Sequence, residues 1–160
     1  MKKRKPNTNI KGIILAAGKA TRLFPVTLAV NKQLLNIFDK PMVYYPLSIL
    51  MLSNIREILI ITRPKDLKSF KCLLGNGNAF GITIKYAIQK KSNGIAEAFL
   101  IGKKFLSNSN CALILGDNIF YGQGLKKKLD SARSRSLGGT IFSYPVNDPQ
   151  RFGVAEIDKN

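Results

Sequence analysis

The 160-residue sequence contains no histidine and no tryptophan, only two cysteines, and nine acidic residues against 26 lysines and arginines. Without histidine, Ser-His and Cys-His catalysis is excluded, and the remaining ligand types argue against a zinc centre. Cys72 and Cys111 stand far apart among aliphatic neighbours. Their spacing fits no metal motif and reads as two buried free thiols. No apolar run approaches the ~18 residues that a membrane-crossing helix needs. The basic start, MKKRKPNTN, is not followed by the apolar region and cleavage site of a secretory signal. A cytoplasmic protein with no membrane partner is the expectation. Its chemistry must run on carboxylates, lysine, arginine, backbone amides or a hard metal ion.

The formal net charge of +17 favours a polyanionic ligand. The lysines are spread along the chain rather than gathered on one helix with interleaved aromatics, so no specific nucleic-acid partner is expected. A basic RNA-binding protein remains a rival with only the charge behind it. KKRK at residues 2–5 reads as a solvated, frayed terminus. The length and the 45% hydrophobic content fit one soluble domain with a real core.

Short apolar runs alternate with amphipathic ones. Strands are expected at 13–17, 57–62 (EILIIT), 82–89 (ITIKYAIQ), 112–115 (ALIL), 140–144 (TIFSY) and 153–157 (GVAEI). A mostly apolar helix is expected at 41–54, entered through proline. A loop or short helix follows at 64–74, a turn within LLGNGNAFG, and helical spacing at 94–106. GQGLKKKLDSARS reads as an amphipathic basic helix. Continuous apolar strands alternating with helices imply a Rossmann-like, doubly wound α/β fold: a mostly parallel sheet with helices on both faces. Ligands of such sheets lie outside the carboxyl ends of the strands. A basic flexible extension over residues 1–10 would precede a nucleotide-binding part over 11–160.

After the first strand comes AAGKATR, residues 16–22. Its small residues let the backbone approach an anion, Thr21 adds a hydroxyl donor, and Arg22 adds a fork of donors suited to phosphate. A plain strand-to-helix turn with a surface arginine is the competing reading. Asp117 follows an aliphatic strand and a glycine in LGDNIFYG, where it could hold a Mg²⁺ that bridges phosphates. Alternatively, Asp117 or Asn118 caps the next helix. In NKQLL, Lys32 could neutralise a phosphate and Gln33 could pair with a base edge. QKKSNG puts Gln89 at a strand end, with Gly94 where a helix begins. A solvent-facing helix start and a connecting loop are the bland alternatives for these two segments.

Six segments occur in order from Lys11 to the chain end: KGIILAAGKATRLFPVT, NKQLLNIFDKPMVYYPLSILMLSNIREILIIT, LLGNGNAFGITIKYAIQ, GIAEAF, LILGDNIFYG and DPQRFGVAEI. Together they resemble the sugar-1-phosphate nucleotidylyltransferase family. KQLL, YYPLS and GDNIFYG point within it to the glucose-1-phosphate thymidylyltransferase branch. The resemblance implies in-line attack of glucose 1-phosphate on the α-phosphorus of dTTP, assisted by Mg²⁺, with release of pyrophosphate. It implies that Leu15, Ala16, Ala17, Gly18, Ala20, Thr21 and Arg22 wrap the triphosphate. Arg22 and Lys32 would act on its charge, and Gln33, Gln89 and Gly94 would surround the thymine. Asp117 would bind Mg²⁺, and Asn118, Tyr144 and Gly153 would line the sugar side. The family forms homo-oligomers. UTP- or CTP-using relatives and a non-catalytic nucleotide-binding remnant are the alternatives.

The sequence also departs from the family pattern. Ala17 and Ala20 replace glycines of its loop, and Ala20 is costly if its φ must be positive. Lys90, Lys91 and Ser92 stand where acidic residues and a proline are common. Against that pattern, the chain is expected to lack the Glu-Lys-Pro segment that grips the sugar phosphate and a second metal-binding Asp. Little or no activity is then implied for this portion alone.

Overall fold

A computed structural model describes residues 9–91, 93–135 and 137–158. The expected N-terminal extension lies outside them up to residue 8, as does Ser92. From β1 (Ile10–Ala16) the chain runs through short 3₁₀ turns to a small hairpin, β2 (Asn36–Ile37) and β3 (Lys40–Pro41), and then to α1 (Tyr44–Leu52). There follow β4 (Glu57–Thr62), α2 (Leu67–Leu74), β5 (Thr83–Ile88), the abutting short helices α3 (Glu97–Ile101) and α4 (Lys103–Leu106), β6 (Asn110–Leu115) and α5 (Leu125–Ser134).

Four strands form a parallel sheet in the order β5-β4-β1-β6, with Ile14 in register with Ile60 on one side and Ile114 on the other. Side chains alternate across it. Ile14, Ile58 and Ile60 pack with Leu47, Phe70 and Leu129, from α1, α2 and α5. Ile13, Leu59 and Ile61 pack with Ala98 and Leu106, from α3 and α4. Both faces are covered, which explains why the central strands read as unbroken apolar runs. Each large aliphatic side chain buried this way contributes roughly 1.5–3 kcal/mol. The doubly wound expectation holds. Chain direction around the sheet reverses at β1, whose neighbours are β4 and β6, so the switch point lies at its carboxyl end.

Several local expectations are corrected. The first helix starts at Tyr44 rather than residue 41, because Pro41 lies in β3 and two amides are drawn back to the preceding segment. Met42 donates to Leu35 O and Val43 to Gln33 O, both at 2.9 Å. The hairpin itself carries no Gly signal; Phe38 takes the positive φ of its turn instead. The helical stretch 94–106 is shortened and divided at Gly102. Segments 140–144 and 153–157 form no strand. Their apolar residues could face a core, but a strand exists only through a ladder, and β6 remains an edge with no partner there. Ile141, Tyr144, Val154 and Ile157 are accordingly exposed. Cys72 lies on the outer side of α2 and is exposed, not buried; Cys111 is half-buried, and both are free thiols.

Candidate functional site

The carboxyl ends of β1, β5 and β6 open onto one cleft of about 240 Å³. Leu15, Ala17, Gly18, Gln33, Gln89, Gly94 and Asp117 line it, together with Ile95 and Leu115. Seven of the residues singled out in the sequence therefore meet at one place, from segments more than 100 positions apart. Ile95 and Leu115 add an apolar wall that residue chemistry alone did not mark.

The loop after β1 leaves the strand at Ala16 and enters a 3₁₀ turn at Thr21–Leu23. Ala20 caps that turn at φ 52°, ψ 42°, the left-handed region. It is held there by Leu23 N and Thr27 Oγ1, which donate to Ala20 O at 3.1 and 3.0 Å. Among the described residues, the amides of residues 18–22 donate no backbone hydrogen bond, which makes them available to an anion or to water. Ala16 itself is buried in the core, whereas Thr21 and Arg22 are exposed on the outer part of the turn.

Asp117 sits in the turn after β6 and is not a helix cap: α5 begins at Leu125, behind Gly124, and has no side-chain cap. Its carboxylate accepts a hydrogen bond from Lys32 Nζ. The same contact places Lys32 at the rim of the cleft. Asn118 is half-buried beside it, with its amide donating to Leu115 O at 3.1 Å. Gly116 allows close approach. A Cβ there would lie 2.8 Å from Gln33 Cγ and 3.1 Å from Ala16 Cβ.

A buried polar chain anchors the lysine-glutamine turn. Asn31 is 1% exposed. Its Nδ2 donates to Asp66 Oδ2 at 2.7 Å and to Ala16 O at 3.3 Å, while its Oδ1 accepts from Gln33 N at 2.9 Å. Arg63 Nε donates to the same Asp66 oxygen at 2.6 Å. Asn31 thus ties the start of the phosphate-type loop to the Lys32–Leu34 turn, and β4's following segment holds Asn31. Arg63 and Asp66 were not marked in the sequence. The signal available was an acid among only nine, four residues beyond a buried strand.

Gln33 is 4% exposed, yet its Oε1 has no hydrogen-bond partner among the described residues. A buried acceptor left unpaired costs about 1–3 kcal/mol, so it is a place for a ligand donor or a water. Gln89 is equally buried. Its amide N–H donates to Thr62 O at 2.9 Å, and its Nε2 donates to Glu97 Oε2 at 2.6 Å and Gly94 O at 3.4 Å. Gly94 adopts φ 94°, which a side chain would strain. Glu97 was not marked in the sequence either.

Asp117 is the one carboxylate lining the cleft, and no group of three His, Cys, Asp or Glu residues able to hold a metal occurs among the described residues. That donor set suits Mg²⁺ shared with phosphate oxygens and waters rather than a cation caged by protein. Tyr144 and Gly153 are exposed on irregular segments and do not line the cleft. No helix among the described residues is long and apolar enough to cross a membrane.

Residues 11–160 match the nucleotidyl transferase family model. A relative from Neisseria gonorrhoeae named glucose-1-phosphate thymidylyltransferase is 56% identical over 151 residues, 94% of this chain and 52% of its own length. The chain spans about half the length of the curated relatives it matches. A Bacillus anthracis protein provisionally given the same name, crystallised in complex with sucrose, superposes with a TM-score of 0.87 at 37% identity, over 94% of this chain and 61% of its own. UDP-glucose pyrophosphorylase complexed with UDP-glucose superposes with a TM-score of 0.63 at 25% identity, over 78% of this chain and 54% of its own. From the match along nearly its whole length and the shared fold, the chain belongs to the nucleotidyl transferase family.

Proposed function

We propose that the chain is the nucleotide-binding part of a glucose-1-phosphate thymidylyltransferase, which makes dTDP-glucose and pyrophosphate from dTTP and glucose 1-phosphate. One observation carries this reading beyond the family. Two buried glutamines line one cleft with Asp117, and Lys32 donates a hydrogen bond to that carboxylate at the rim, which brings groups suited to a base and groups suited to phosphates to one site. Relatives of that name supply the substrate classes.

In this reading the unengaged amides of the loop, with Ala17, Gly18, Ala20 and Thr21, cradle the triphosphate at the end of β1. A phosphate oxygen of glucose 1-phosphate attacks the α-phosphorus, the bond to the bridging oxygen breaks, and pyrophosphate leaves with that electron pair. No covalent enzyme intermediate forms, so positioning and charge neutralisation carry the rate. Arg22, exposed and with no partner among the described residues, turns onto the leaving pyrophosphate. Lys32 holds phosphate oxygens once its carboxylate is otherwise engaged. Gln33, Gln89 and Gly94 close around the thymine, and Asn118, beside Asp117, belongs to the sugar side, where the family resemblance also puts Tyr144 and Gly153, neither of which lines the cleft. Asp117 would hold Mg²⁺, which supplies electrostatic neutralisation of the phosphates when bound. Homo-oligomer formation and a cytoplasmic location belong to the same reading.

The likeness to UDP-glucose pyrophosphorylase favours a second reading in which UTP replaces dTTP. Pyrophosphate release, measured with glucose 1-phosphate and each of dTTP, UTP and dCTP in Mg²⁺, decides between them. The expected result is that whatever release this portion supports is greatest with dTTP. Calorimetric binding of dTTP without release would identify a nucleotide-binding module instead, and no binding of any of the three would sink the proposal.

A further inference from the structure

Gln89 is the buried polar group of the cleft whose orientation the protein dictates. An amide side chain offers a donor end and an acceptor end of nearly equal shape, so its partners decide which end faces a ligand. Here both partners can only accept. Glu97 Oε2 lies 2.6 Å from Gln89 Nε2, and Gly94 O lies 3.4 Å from it. Reversing the amide would set its oxygen against a carboxylate and a carbonyl. Glu97 is in turn restrained, because Asn93 Nδ2 donates to its other oxygen at 3.1 Å. Gln89 is 4% exposed and cannot turn towards solvent to escape. Across the same cleft the Oε1 of Gln33 is buried and unpaired, a second acceptor awaiting a donor.

Resting on the nucleotide reading above, we propose that Glu97 is a specificity-positioning residue: it locks the Gln89 amide so that the cleft meets a base with acceptor oxygens. Such a wall takes a base whose ring nitrogen carries a proton. Thymine and uracil present N3–H between two carbonyls, whereas N3 of cytosine is itself an acceptor and would face Gln89 Oε1 lone pair to lone pair. The selection is therefore for the protonated ring nitrogen, and it does not depend on the thymine methyl. A site built to hydrogen-bond one pattern discriminates against its opposite because the mismatched polar groups are left unpaired.

Calorimetry of the 160-residue chain with dTTP, dUTP and dCTP in Mg²⁺ tests this. The parent should bind dTTP and dUTP in preference to dCTP. Glu97→Leu removes the acceptor and frees the amide to reverse, so the ratio of dTTP to dCTP affinity should fall by about tenfold or more. Glu97→Gln keeps an oxygen that can still accept from Gln89, and should retain most of the ratio. A purely structural role for Glu97 would weaken dTTP and dCTP alike, leaving the ratio unchanged. That result in Glu97→Leu overturns the inference, and so does equal binding of dTTP and dCTP by the parent, which leaves the nucleotide reading intact. A parent that binds none of the three overturns both together. Unliganded thermal melts of the three proteins show that each is folded before affinities are compared.

Discussion

Lys32 donates a hydrogen bond to the carboxylate of Asp117, joining two segments that lie 85 positions apart in sequence. The pair spans the cleft's rim between the 3₁₀ turn after Asn31 and the turn that ends β6. Both partners are partly open to solvent, with side chains 24% and 35% exposed. Each charge therefore has a water-accessible partner that a charged ligand can replace on both sides at once: phosphate oxygens for the lysine, a divalent cation for the carboxylate.

Because the pair is partly exposed, breaking it costs little stability, on the order of 1 kcal/mol or less. Asp117→Ala should therefore melt close to the parent yet lose at least about tenfold in dTTP affinity in Mg²⁺. Calorimetry checks this. EDTA should reproduce the loss in the parent and add nothing in the variant, since the group that would hold the cation is already gone.

Ala20 sits at φ 52° without the freedom glycine has there. Ala20→Gly should stabilise the fold by about 0.5–1 kcal/mol: the relief of left-handed strain exceeds the added entropy of the unfolded chain. Urea unfolding measures it. A destabilised variant would mean that Ala20 bears no strain in the folded protein.

Asp66 is buried and serves both Arg63 and Asn31. Asp66→Ala leaves an arginine and a buried amide without their acceptor, and should destabilise by about 3 kcal/mol. The same variant should weaken dTTP binding, because Asn31 then loses one of the bonds that hold the Lys32–Leu34 turn. Urea melts and calorimetry give the two effects separately. Unchanged affinity in a folded variant would show that Asn31 holds the turn unaided.

Burial raises the Cys111 thiol from 9.0 to about 11, whereas Cys72 is exposed. At pH 8 iodoacetamide should modify Cys72 and spare Cys111 until the chain is denatured. The sign for stability follows from proton counting. Between pH 9 and about 11 the folded state keeps a proton that the unfolded thiol releases. The stabilisation is complete below about pH 9 and is lost as pH rises through about 11. Replacing Cys111 by Ala should flatten that part of the stability profile.

Gln89 and Asp117 were legible because each is a polar residue at or just beyond the end of an apolar run, and Gln33 because it is polar in a segment with few reasons to be polar. Glu97 was not, because GIAEAF reads as an ordinary helix start, and its bond to Gln89 joins that helix to the residue just after β5. Arg63 and Asp66 were missed for the same reason: their partner Asn31 lies 35 positions before Asp66. The expected strands at 140–144 and 153–157 failed in the opposite sense. Their alternation was visible, but alternation describes a face and not a hydrogen-bonded neighbour.

Taken alone, AAGKATR left two readings open, an anion-binding loop and a plain turn. The sequence by itself determined the parallel sheet, the two buried faces and the strand ends where polar residues gather. These depend on period and composition within single segments. Only the tertiary structure decided that Ala20 is the left-handed residue, that Lys32 meets Asp117, and that Gln89 donates its amide to Glu97. Those facts rest on how the chain closes its loops and on which groups, brought together from distant positions, must share their hydrogen bonds.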